Sequence, residues 1–123
     1  MKKNFLSSLD LSKSEIINIF DLATNYKENL NDTFTPNNGK ILGLIFDKAS
    51  TRTRVSFQVA MSRLGGSTVD LNPNTSQIGR GEPIKDTARV LSKYCNVLAI
   101  RTYKQADLNE YAKWSTIPVI NAL

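Results

Sequence analysis

Apolar positions recur along this chain at two spacings, and the switches between them mark out alternating helices and strands. Ser12-Lys-Ser-Glu15 has the form of a capping box, with a hydroxyl at the N-cap and Glu at the third helical position. Ile16, Ile17, Phe20, Leu22 and Ala23 then give a first helix a broad apolar face. A polar stretch over residues 29–39, with Pro36 and Asn37-Asn38-Gly39, reads as a loop. Ile41-Leu-Gly-Leu-Ile-Phe46 is a short apolar run bounded by turn residues, the pattern of a strand buried on both faces. Helical spacing resumes with Val55, Val59, Ala60 and Leu64, and Gly65-Gly66 stops it.

The second half repeats the alternation. Ser67-Thr-Val-Asp-Leu71 reads as a short strand, and residues 72–82 as a polar loop. Pro83 opens a helix at no cost in hydrogen bonds, because an N–H there would be unpaired anyway; Ile84, Ala88, Leu91 and Cys95 line one face of it. Asn96-Val-Leu-Ala-Ile-Arg101 reads as a buried strand ending in arginine. Asp107-Leu-Asn-Glu110 caps a short helix through Trp114, and Ile117-Pro-Val-Ile120 reads as a fourth strand that Pro118 pushes toward an edge. Strands alternating with helices of about this length predict an α/β fold: three layers, a four-stranded parallel sheet flanked by helices, with ligands bound outside the carboxyl ends of the strands. The sequence stops at Ile-Asn-Ala-Leu123 with no helix to cover the last strand, so the expectation is a chain cut before its next element.

Composition narrows the chemistry. A length of 123 residues fits one domain with its own core. No apolar run approaches the roughly 20 residues of a membrane helix, and no stretch of signal-peptide length precedes Asp10. Lone Cys95, in an apolar neighbourhood with Leu91 and Val97, forms no internal disulfide and points to a reduced, cytoplasmic setting. With no histidine, the chain cannot by itself run Ser-His-Asp or Cys-His nucleophilic chemistry or build most zinc sites. The formal charge of +5 would suit a polyanion partner, but the lysines are scattered from Lys2 to Lys113 as a solvated surface would have them, which argues against nucleic acid.

The arginines differ, falling between Arg52 and Arg101 and recurring beside Ser, Thr and Gly. Ser50-Thr-Arg-Thr-Arg54 lies at a strand-to-helix turn, where unpaired backbone N–H groups and the positive end of the helix dipole attract an anion. Ser50, Thr51 and Thr53 add hydroxyl donors, and the Arg52 guanidinium matches a phosphate bidentately. Neither a P-loop nor a dinucleotide fingerprint is present, so the cradle suits a small phosphorylated molecule. A helix cap with surface ion pairs would also account for these residues taken alone.

Four strings carry a resemblance to a known family: Phe46-Asp-Lys-Ala-Ser-Thr-Arg-Thr-Arg-Val-Ser-Phe57, Ser76-Gln-Ile-Gly-Arg-Gly-Glu-Pro-Ile-Lys-Asp-Thr-Ala-Arg-Val-Leu91, Ile100-Arg-Thr-Tyr103 and Ile117-Pro-Val-Ile-Asn-Ala-Leu123. From Met1 to Leu123 the chain resembles the N-terminal, carbamoyl-phosphate-binding domain of the ornithine carbamoyltransferases. The Ser-Thr-Arg-Thr-Arg string is common to the aspartate enzymes, whereas the second string is similar to the ornithine ones. The resemblance implies transfer of the carbamoyl group from carbamoyl phosphate to the δ-amine of L-ornithine, giving L-citrulline and phosphate in arginine metabolism, without metal or organic cofactor. It implies that Ser50, Thr51, Arg52 and Thr53 hold the phosphate and that Arg101 reaches the phosphate and carbamoyl oxygens, Arg101 and Arg52 being the catalytic pair. Arg54 orders the loop. Gln77 would be donated to a neighbouring subunit's site, which implies a homotrimer or a multiple of trimers. Members of the family continue past Asn-Ala-Leu with Thr-Asp, then a His-Pro-Cys-Gln string and a second domain that binds ornithine; these 123 residues contain none of that, so the fragment alone is expected to be inactive. An aspartate-type acceptor and a non-catalytic anion-binding module are the alternatives.

Overall fold

The computed structural model describes residues 2–47, 50–72 and 81–123. Four strands, β1 (Ile41–Phe46), β2 (Ser67–Leu71), β3 (Val97–Arg101) and β4 (Val119–Asn121), alternate with helices α2 (Thr51–Arg63), α3 (Ile84–Tyr94) and α4 (Gln105–Trp114), behind a leading helix α1 (Lys13–Glu28). All strand pairs are parallel, in the order β2-β1-β3-β4, with Phe46 of β1 opposite Arg101 of β3. The three-layer α/β architecture is thus as expected.

The continuous apolar run of β1 follows from covering both faces of the sheet. Ile45, Leu98, Ile100 and Val119 face one layer, where Ala88 and Cys95 at α3 meet Leu108, Tyr111 and Ala112 of α4. Leu42, Leu44, Phe46 and Ala99 face the other, against Phe57 and Met61 of α2. Each fully buried aliphatic side chain here contributes roughly 1.5–3 kcal/mol. Gly65, with φ of +87°, ends α2 in a conformation glycine adopts freely, consistent with the Gly-Gly stop.

Several expectations need correction. Ser12 and Glu15 do form a reciprocal capping box, but no residue of α1 is buried; Ile17, Phe20 and Leu22 lie about half exposed or more. The N-terminal segment ahead of α1 runs along β4, with Phe5 N–H donating to Val119 O (2.9 Å) and Asn121 N–H to Phe5 O (2.7 Å), and α1 stands off from the core, with a gap between Ala23, Tyr26 and Leu30 on its side and Ala60 and Leu64 on the other. Ile16, Ile19 and Phe20 instead line an apolar groove of about 670 Å³ with Phe5, Leu11 and Ile120. In α2 the Val55 and Val59 stripe faces outward and the Phe57 and Met61 stripe faces the sheet, because two apolar stripes compete on one helix and the sheet takes the larger side chains. Pro83 is the N-cap of α3, so the helix opens at Ile84, one residue later than expected. Helix α4 starts at Gln105, before the Asp107 proposed to cap it, and β4 begins after Pro118, whose carbonyl accepts from Leu98 N–H at 3.0 Å. The loop over residues 72–82 lies largely outside the described residues.

Candidate functional site

Strand order decides where a ligand would sit. In β2-β1-β3-β4, the chain leaving β1 crosses through α2 to β2 on one side, whereas the chain leaving β3 crosses through α4 to β4 on the other. The carboxyl ends of β1 and β3 therefore flank the crevice that opens where neighbouring connections diverge, the usual ligand position in such sheets. Asp47 N–H donates to Arg101 O at 2.8 Å and closes the two strand ends together.

On the β1 side, Ser50 occupies the N-cap of α2 in extended conformation (φ −161°, ψ 95°), yet its hydroxyl makes no capping hydrogen bond and the first turn holds no acidic residue. The N–H groups of that turn and its positive dipole end are left for an incoming anion. Thr51 and Arg52 are exposed; Thr53 and Arg54 are half-buried. Arg54 N–H donates to Ser50 O at 3.3 Å, and its guanidinium lies 3.6 Å from the Asp70 carboxylate of β2.

On the β3 side, Arg101 is anchored by Nη1 donating to Ala122 O at 3.0 Å, while its buried Nε has no hydrogen-bond partner among the described residues. A buried guanidinium N–H without a partner is costly unless an acceptor arrives. Ser50, Thr51, Arg52, Thr53 and Arg101 are thus brought to one edge of the sheet by two adjacent strands; Gln77 lies outside the described residues. Nearby Tyr111 is no proton acceptor: burial, then the charges of Asp47, Asp107, Glu82 and Glu110, hold its phenol neutral, far above the ordinary range. Among the described residues no group of His, Cys, Asp and Glu side chains could hold a metal ion, and no helix is long and apolar enough to cross a membrane.

Sequence reasoning missed Asp70, Ala122 and the Asp47 N–H. Asp70 is one polar residue in an alternating strand, and the other two act through backbone atoms, so none carries a signal legible before the sheet is assembled.

Residues 3–123 match the family model for the aspartate/ornithine carbamoyltransferase carbamoyl-P binding domain. The chain is 74% identical over 120 residues to an ornithine carbamoyltransferase of Prochlorococcus marinus (strain MIT 9312), covering 98% of this chain and 38% of that protein. It superimposes on the ornithine carbamoyltransferase from Pyrococcus furiosus with a TM-score of 0.90 at 43% identity, over 98% of this chain and 39% of that one. For the catalytic subunit of M. jannaschii aspartate transcarbamoylase the TM-score is 0.87 at 36% identity, over 98% and 40%. The chain spans about two-fifths of the length of these relatives.

Proposed function

The chain belongs to the aspartate/ornithine carbamoyltransferase family, as its carbamoyl-P binding domain, and on that premise we propose that it forms the phosphate-donor half of an ornithine carbamoyltransferase. The whole enzyme would convert carbamoyl phosphate and L-ornithine to L-citrulline and phosphate. Its ornithine-binding domain would lie in the part of the relatives' length that these residues do not span. Identity of 74% to an ornithine enzyme, against 36% to an aspartate one, favours ornithine as acceptor.

In this reading Ser50, Thr51, Arg52 and Thr53 hold the phosphate at the N-terminus of α2, and Arg101 reaches across from β3 to the phosphate and carbamoyl oxygens. The deprotonated δ-amine of ornithine attacks the carbamoyl carbon. A C–N bond forms, the resulting tetrahedral intermediate expels phosphate by cleavage of the C–O bond, and the proton from the amine nitrogen goes to the departing phosphate. Arg101 stabilises charge on the carbonyl oxygen; Arg52 and the helix terminus stabilise the departing phosphate. Catalysis is then positioning and electrostatics, with Gln77 supplied to a neighbouring subunit's site in a cytoplasmic homotrimer.

The observation that carries this reading is the buried, unpartnered Nε of Arg101 at the strand end beside a helix start whose own cap is unused. Calorimetric titration of the 123-residue chain with carbamoyl phosphate tests it. Arg52→Ala should weaken binding roughly ten- to a hundredfold, the worth of a charge-assisted contact. Equal heats for the two proteins would overturn the assignment. In the Prochlorococcus relative the matching substitution should abolish most citrulline formation.

A further inference from the structure

Two ion pairs occur among the described residues. One joins Lys3 to Glu15 on the surface; the other joins a helix to the sheet, with Arg54 Nη1 3.6 Å from Asp70 Oδ2. Arg54 ends the first turn of α2. Asp70 stands one residue before the end of β2, in register with Leu44 of β1, the strand whose chain leads into α2. The pair therefore bridges the turn and the carboxyl end of the neighbouring strand.

That turn has few other fasteners. The Ser50 side chain does not cap it, and no acid within it offsets the dipole. Arg52 and Arg54 place two cations at a helix end that is already positive, an arrangement that repels itself until an anion arrives. Asp70 supplies a fixed counter-charge from outside the helix and draws one of the two guanidinium groups toward β2. Arg52 forms no ion pair among the described residues.

We propose that Arg54 and Asp70 are positioning residues: their ion pair holds the first turn of α2 against β2, so that the N–H groups, Ser50 and Arg52 meet the phosphate already oriented. This rests on the reading that the turn binds the phosphate of carbamoyl phosphate, but it assigns a role to Asp70, to which that reading gives none. Both side chains are about a third exposed, at 38% and 33%, so the effect should be modest.

The test uses inorganic phosphate as the calorimetric probe and amide hydrogen exchange as a ligand-free readout. Asp70→Asn should raise the phosphate Kd roughly two- to fivefold, the range expected of a partly exposed pair. It should also speed exchange at the Arg54 amide, whose 3.3 Å bond to Ser50 O closes the turn. The swapped pair, Arg54→Asp with Asp70→Arg, should restore slow exchange at the amide of position 54, a rescue that loss of either side chain alone would not produce, while the carboxylate it places in the turn weakens phosphate binding on its own account. Unchanged Kd in Asp70→Asn, or a swap that leaves exchange at position 54 fast at wild-type melting temperature, would overturn the proposal. If the wild-type chain fails to bind phosphate, the functional reading falls, and exchange with its rescue still decides whether the pair holds the turn.

Discussion

Glu15 joins a local capping signature to a contact from Lys3, 12 residues away. Its carboxylate accepts from Lys3 and from the Ser12 N–H, and these bonds, Lys3 first, lower its pKa from the ordinary 4.5 to about 2. Because the folded value is depressed, the stabilisation is complete above the unfolded pKa and is lost as pH falls from about 4.5 through about 2. The helical circular dichroism signal should therefore decline across that window in wild type and lose much of this pH dependence in Glu15→Gln. The capping box was legible in Ser12-Lys-Ser-Glu15 because its spacing is local. Ser50, Thr51, Arg52 and Thr53 were legible as a candidate anion cradle, since a hydroxyl and arginine string at a strand-to-helix turn needs no tertiary information to look like one; Arg101 entered through its place at a strand end and the family resemblance. Asp70 was not legible, because its partner lies across the sheet.

At the scale of elements, the packing of β1 on β3 and α3 depends on one missing side chain. A Cβ at Gly43 would stand 2.8 Å from Leu98 Cδ2 and 3.1 Å from Cys95 Sγ, both in the buried core. Gly43→Ala should therefore destabilise the chain by about 1–3 kcal/mol through overpacking, seen as a lower urea midpoint at unchanged slope. Adding Leu98→Val should recover part of the loss; a neutral Gly43→Ala would mean that the layers separate more easily than their contacts imply. Element type and order followed from periodicity because apolar spacing differs between helix and strand. Which stripe of α2 turned inward did not follow, since Val55 and Val59 repeat at the same helical spacing as Phe57 and Met61.

For the whole molecule, stability should be unevenly distributed. Strands β1 and β3 are enclosed by both core clusters, and α2 packs Phe57 and Met61 against one of them, whereas α1 contributes no side chain to either and lies beside an apolar groove. Amide exchange should accordingly be fastest in α1 among the four helices and slowest in β1 and β3, with α1 opening well below the global unfolding free energy. Protection of α1 equal to that of β3 would contradict this ordering.

Local pattern alone determined the helices and strands, the parallel sheet with both faces covered, and the residue types that suit a small phosphorylated ligand. Each of these depends on period, turn chemistry or charge within a few residues. Tertiary structure alone decided the strand order, which sets the ends of β1 and β3 side by side, leaves α1 on the periphery and brings Asp70 to Arg54. Those outcomes depend on which distant segments compete for the same sheet edge and helix face, and spacing along the chain does not record that competition.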